Sequence, residues 1–295
     1  MPRRLGLGAA VPDAALPRKT PAQKSRALEL LAALKERFPN AHCELDWTKP
    51  HELLIATILS AQCTDVAVNK ATPGLFKAFP TPADYARVTP AEIEPYIRSI
   101  GLFRAKARAV HETARILVER FGGEVPRTMK ALLTLRGVAR KTANVVLGNC
   151  FGINEGVVVD THVARLSARF GLSRQKTPEK IERDLMALFP REDWCILSHL
   201  LIFQGRRACK ARGGDCATDA ICRRFCVDGL RAVRAEAGNT TTASEANEVV
   251  AVGKSGDPKA SNRSASTLSE PPPARPKKSA KKVQKGVAPK RPSRR

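Results

Sequence analysis

Apolar side chains recur along most of this chain at the three- and four-residue spacing of a helix face, with no alternating strand pattern. Leu28, Leu31, Leu34 and Phe38 trace one such face, which Pro39 stops. The same periodicity runs through residues 52–61, 104–121, 140–150, 162–170, 179–189 and 194–204. Thr-Pro pairs at 20–21, 81–82, 89–90 and 177–178 mark helix starts, the threonine able to cap and the proline to take the first helical position. Glu92 stands three residues after Thr89, the capping-box spacing, and is placed to reach back to the Thr89 amide. Gly122, Gly171 and Gly205 fall where helix C-termini are expected. The apolar run 156–159 is too short to decide between a strand and an extended lead-in to a helix. Together these patterns predict an all-α fold.

Charge adds a class of partner. The 295 residues include 51 Lys and Arg against 28 Asp and Glu, a formal charge of +23 that favours a polyanion. With 43% apolar residues the chain can build a sizeable core in one or two domains, which excludes a wholly disordered protein. Residues 231–295 hold 15 basic and 5 acidic residues, leaving 36 against 23 in the first 230, so the body shares the excess. That tail is rich in Ser, Ala, Asn, Pro and Lys and ends in ten basic residues without an acid; it is expected to be disordered. Residues 1–20 are expected to be flexible. No apolar stretch approaches the roughly 20 residues a membrane span requires. No membrane association is expected, and the expected location is cytoplasmic, nucleoid-associated if the source is bacterial.

Candidate chemistry begins at 132–147, which reads as helix, tight turn, helix. Gly137 permits a turn conformation that a side chain would oppose. The backbone amides of Gly137, Val138, Ala139 and Arg140 open the second helix and can receive a phosphate, helped by the helix dipole and the Arg140 side chain. An ordinary pair of packed helices is the plainer alternative. Lys141 lies next to Arg140, in the positive potential that makes an amine a better nucleophile. Nineteen residues later an apolar lead-in delivers Asp160 at the start of another helix. A carboxylate there can cap the helix, and a capped carboxylate is also rigid enough to take a proton or face a developing cation.

Eight cysteines are present, and four crowd into the pattern Cys209-x6-Cys216-x5-Cys222-x3-Cys226. Such clustering favours a metal centre over disulfides, and four thiolates suit zinc or a [4Fe–4S] cluster. Cys43, Cys63, Cys150 and Cys195 sit in helical patterns and read as small buried residues.

The hairpin with Lys141, the segment Val159-Asp160-Thr161-His162, the earlier Ser60-Ala61-Gln62-Cys63-Thr64-Asp65 and the cysteine cluster together resemble the endonuclease III family of DNA glycosylases, from about Ala22 to about Asp228. The resemblance implies a two-lobed helix-hairpin-helix glycosylase fold and a monomer acting on damaged double-stranded DNA. It implies that Lys141 attacks C1′ of a damaged nucleotide, displaces the base and forms a Schiff base, after which β-elimination cuts the strand. Asp160 would assist proton transfer and stabilise the developing positive charge. Gln62 would fill the space left by the everted base, Leu102 would wedge into the stack, and Lys210 and Arg212 on the cysteine loop would contact phosphates; Arg136, which the family does not share, is expected from its own charge and place in the turn to contact phosphate. The four clustered cysteines would hold a [4Fe–4S] cluster. The domain division implied is 21–42 plus 154–230 around the cluster, and 43–153 for the helical domain with the hairpin.

Two departures stand out. The family hairpin usually reads Leu-Pro-Gly-Val-Gly, whereas Arg136 replaces the proline here and Ala139 the second glycine. An alanine fits there only if its φ is negative. The family cysteines usually run Cys-x6-Cys-x2-Cys-x5-Cys, and Asp219 takes the third position here. The expected activity is excision of oxidised pyrimidines followed by cleavage of the abasic site. The alternatives are a non-enzymatic DNA-binding or damage-sensing iron–sulfur protein, and a glycosylase for mismatched or alkylated bases.

Overall fold

The computed structural model describes residues 16–212 and 214–226, and among these there are twelve α-helices, one 3-10 turn and no strand. The helices run α1 (Pro21–Arg37), α2 (Pro50–Leu59), α3 (Asp65–Ala78), α4 (Pro82–Arg87), α5 (Pro90–Ile97) and α6 (Phe103–Phe121). Then come α7 (Met129–Leu132), α8 (Arg140–Phe151), α9 (Thr161–Arg169), α10 (Pro178–Leu188), α11 (Trp194–Arg207) and α12 (Ala220–Phe225). The expected tail at 231–295 and most of the expected flexible N-terminus lie outside the described residues.

Local chemistry accounts for the helix boundaries. The Thr20 hydroxyl accepts the Gln23 amide at 3.2 Å, and the Gln23 side chain returns a bond to the Thr20 amide at 2.9 Å. The Glu92 carboxylate accepts both the Thr89 amide and its hydroxyl at 2.8 Å. At the far end of α6, Gly122 adopts φ +60° and lets the Gly123 amide return to the Leu117 carbonyl. Gly205 departs from expectation: α11 continues through it to Arg207. A Cβ there would stand 3.0 Å from both Arg165 Nη2 and His162 Nδ1, so the glycine serves close packing and not a cap. The run 156–159 forms no strand but a buried, irregular lead-in to α9, anchored by the Val158 amide on Ser198 Oγ at 3.0 Å.

Two apolar cores result. One gathers α2 through α8, with Leu53, Leu54, Tyr85, Ile93, Val110 and Leu147 at its centre. The other gathers α1 and α9 through α12 around Leu30, Leu34, Leu166, Phe170, Leu197 and Phe225. Polar contacts join them. Glu182 of α10 accepts Arg140 Nε at 3.1 Å and Asn144 Nδ2 at 3.0 Å, both from α8. Asn149 of α8 meets the His199 ring of α11 at 2.9 Å, and Arg206 of α11 pairs with Glu44 and Asp65. Gly156 leaves room for the first clasp, because a Cβ there would strike the Glu182 carboxylate. The four unclustered cysteines are half-buried, and Cys43 and Cys63 lie between helices and not within them.

Candidate functional site

The turn between α7 and α8 keeps its shape without the usual proline. Gly137 sits at φ +77°, a conformation that opposes a side chain, and a Cβ would also press on Ala109 at 3.4 Å and Ile58 at 3.6 Å. The Thr113 hydroxyl holds the Arg136 carbonyl at 2.7 Å, and the Arg136 guanidinium pairs with Glu112 at 2.8 Å. Val138 is buried beneath the turn, its amide bonded to the Leu135 carbonyl. Ala139 has φ −95° and precedes α8 in extended backbone, so alanine meets no strain there. Among the described residues, no backbone hydrogen bond takes up the amides of Gly137, Ala139 and Arg140, leaving donors at the α8 N-terminus. The Arg140 side chain does not join these donors. The sequence places it to face a phosphate, but in the fold it is largely buried, bonded to Glu182 and to the Glu155 carbonyl at 2.9 Å. Only its backbone amide remains at the turn.

Lys141 is exposed as the second residue of α8. Asp160 is the N-cap of α9, its carboxylate accepting the Val163 amide at 2.8 Å, which fixes the group in place. Asp65, the first residue of α3, links these two. Burial and then the Asp160 charge push its carboxyl up, while Lys141 and His162 pull it down. The Arg206 guanidinium, 2.7 Å away, also favours the charged form. Four chemically active side chains from both cores therefore share one electrostatic neighbourhood. Asp65 and His162 lie inside quoted motifs but carried no assigned role, because their spacing from Lys141 along the chain says nothing of the helix packing that gathers them.

Gln62 and Leu102 are the only non-glycine residues with positive φ among those described, at 55° and 60°. Such backbone is costly and persists where the surroundings enforce it. Gln62 follows α2 in the connection to α3, and Leu102 is the N-cap of α6. Leu102 is 63% exposed, so an alternative role as a core leucine does not hold.

The cysteine loop is rebuilt around Asp219. Its carboxylate caps α12 through the Cys222 amide at 2.8 Å, accepts Gln204 Nε2 at 2.9 Å and pairs with Arg37, so it faces its neighbours and is no spare ligand. The cap turns Cys222 inward. Cys209, Cys216 and Cys222 bring their sulfurs within 4.8 Å of one another, and Cys226 is fully buried at the end of α12. Hydrogen bonding with Cys222, and then the Arg169 guanidinium 3.0 Å from the sulfur, hold the Cys209 thiol well below its usual range. Three gathered sulfurs, with a fourth cysteine buried close along the same loop, fit a metal or iron–sulfur centre. Lys210 and Arg212 are exposed on this loop.

Residues 55–191 match the HhH-GPD superfamily of base excision DNA repair proteins, the class that this helical fold and hairpin define. The chain is 51% identical over 208 residues to endonuclease III of Synechocystis sp., covering 70% of this chain and 95% of that one. It is 42% identical over 202 residues to endonuclease III of Escherichia coli, covering 68% and 95%. A solved structure described as a trapped endonuclease III–DNA covalent intermediate matches with TM-score 0.66 and 44% identity, over 70% of this chain and 97% of that one. The chain belongs to the endonuclease III family and is a base excision repair DNA glycosylase.

Proposed function

We propose that this protein is bifunctional, removing oxidised pyrimidines from duplex DNA and then cutting the strand at the abasic site. The observation that carries the reading is Lys141, exposed at the start of α8 and sharing with Asp160 the surroundings of Asp65. The lysine nitrogen bonds to C1′ as the glycosidic bond breaks, and the base leaves with its electron pair and takes up a proton. The deoxyribose ring then opens to an imine, which acidifies C2′–H; loss of that proton expels the 3′ phosphate. Asp160, held by its cap, stabilises the cationic sugar and moves protons. The similar structure described as a covalent intermediate on DNA supports this route.

A base inside a duplex is out of reach and must be everted. Leu102 is suited to wedge into the stack, and Gln62 to occupy the vacated space, since both are exposed at left-handed positions of the backbone. The free amides of the hairpin, with exposed Arg136, Lys210 and Arg212, would bind phosphates. The domains are 21–42 plus 154–230 and 43–153, and the enzyme acts as a monomer. Cys209, Cys216, Cys222 and Cys226 would hold a [4Fe–4S] cluster, which supplies structure to this loop and no step of the reaction.

Borohydride reduction on abasic-site DNA tests the reading. Wild-type protein is expected to give a covalent adduct, and Lys141→Ala to give none. An adduct that survives Lys141→Ala, or wild-type protein that binds DNA without one, would overturn it in favour of another nucleophile or of binding alone.

A further inference from the structure

His162 is held by a chain of contacts that reaches the cysteine loop. Arg165 lies one turn further along α9, and its Nη2 stands 3.2 Å from His162 Nδ1, 3.0 Å from the Gly205 carbonyl and 3.1 Å from the Cys209 carbonyl. The two hydrogens of Nη2 are shared among these three acceptors. A guanidinium offers no acceptor, so a proton on Nδ1 would face another donor, and the arrangement favours the ring proton on Nε2. Gly205 forms the floor of this arrangement, since a Cβ would lie 3.0 Å from both Nδ1 and Nη2. The opposite edge of the ring is uncommitted: Nε2 has no hydrogen-bond partner among the described residues and is not sealed from solvent. His162 stands at the second position of α9, two residues beyond Asp160, in the neighbourhood shared by Asp65 and Lys141. An oriented donor with nothing to donate to, beside the reacting groups, is what a ligand-reading residue requires.

The geometry points to His162 as a fixed hydrogen-bond donor to the everted base, favouring a damaged pyrimidine that presents a ring carbonyl oxygen over one that presents an amino group there. This rests on the function proposed above and adds a reader of the base to it. A site built to donate rejects a base that offers only another donor, because one of the two groups is then left unpaired. The Arg165 contacts tie this reader to the carbonyl of Cys209, so Gly205 and Arg165 are positioning residues and His162 is the residue that touches substrate.

The test compares full-length, iron-loaded wild type, His162→Phe, His162→Asn and Gly205→Ala on duplexes carrying thymine glycol, 5-hydroxycytosine or a preformed abasic site. Wild type is expected to release thymine glycol faster than the amino-bearing cytosine product. His162→Phe keeps an aromatic ring without a donor, and should lower thymine glycol release roughly tenfold relative to abasic-site cleavage, the effect of one lost hydrogen bond. His162→Asn restores a donor and should recover part of the loss. Gly205→Ala should move the same ratio as His162→Phe, with iron content and helical circular dichroism checking the fold. Equal losses on all three duplexes, or an unchanged preference in both His162→Phe and His162→Asn, would overturn the assignment. Wild-type protein that neither releases a base nor traps on abasic DNA would instead sink the functional reading itself.

Discussion

At the hairpin, Ala139 stands where the family usually has glycine and needs no accommodation, since its φ of −95° suits any residue. At the cysteine loop, Asp219 stands where a cysteine is usual, and the chain around it is rearranged. Asp219 becomes the cap of α12, an anchor for Arg37 and Gln204, and the turn that brings Cys222 to the sulfurs of Cys209 and Cys216. The difference follows from what each position must supply. The hairpin presents backbone amides, which survive a change of side chain while the backbone dihedrals hold. A metal centre is built from side-chain atoms, so moving one donor requires new structure to carry it.

Restoring the family residue at each position sharpens this contrast. Asp219→Cys strips the cap and leaves the Arg37 and Gln204 donors facing a thiol; a loss of about 3 kcal/mol is expected, read as a fall in the denaturation midpoint. A gain in stability with full iron content would show instead that the loop accepts the usual ligand order.

The seam between the hairpin helix and the helix leading to the cysteines titrates. Burial, and then the nearby His42, push the His199 ring down to about 4, below its ordinary 6.5. Between those values the unfolded chain holds a proton that the folded chain does not. Stability should therefore fall as pH drops through that window, by about 2 kcal/mol after allowing for partial exposure. Urea denaturation at neutral and acid pH should show a smaller drop for His199→Gln than for wild type, and equal drops would refute the role assigned to this ring.

Within the hairpin, Gly137→Ala forces a side chain into a left-handed turn against Ala109 and should cost about 1–2 kcal/mol. Ala139→Gly puts a better N-cap at the start of α8 but a more flexible residue in the unfolded chain, and the two effects offset to within about 1 kcal/mol. Comparable thermal shifts for the two variants would mean that the turn is not governed by φ.

Much of the site was legible in the residue order. Lys141 after the Gly137 turn, Asp160 after three valines and four crowded cysteines are local signals, and each marks a helix start or a loop that short-range chemistry sets up. Less legible were Arg140, whose neighbours in the chain suggest phosphate contact but whose side chain answers to Glu182, 42 residues away. Gly205 resembled a helix end because nothing nearby in the chain reveals that Arg165 and His162 pack on it. Helix α3 carries Pro73 in its interior, which argues against a helix when the pattern is read along the chain, and α12 is a short helix inside the cysteine-rich segment. Along the chain Asp219 stands only where a ligand is usual; its place as the N-cap of α12 depends on the fold.

Residue order alone was sufficient for helix class, most helix boundaries, the basic character and the family, because caps, periodicity and charge act over a few residues. Folding in three dimensions was needed to bring Asp65, Lys141, Asp160 and His162 to one place and to give Arg140 to Glu182 and Asp219 to Arg37. Electrostatics and hydrogen bonding depend on distance through space. Partners separated by tens of residues along the chain become neighbours only when two apolar cores close against each other.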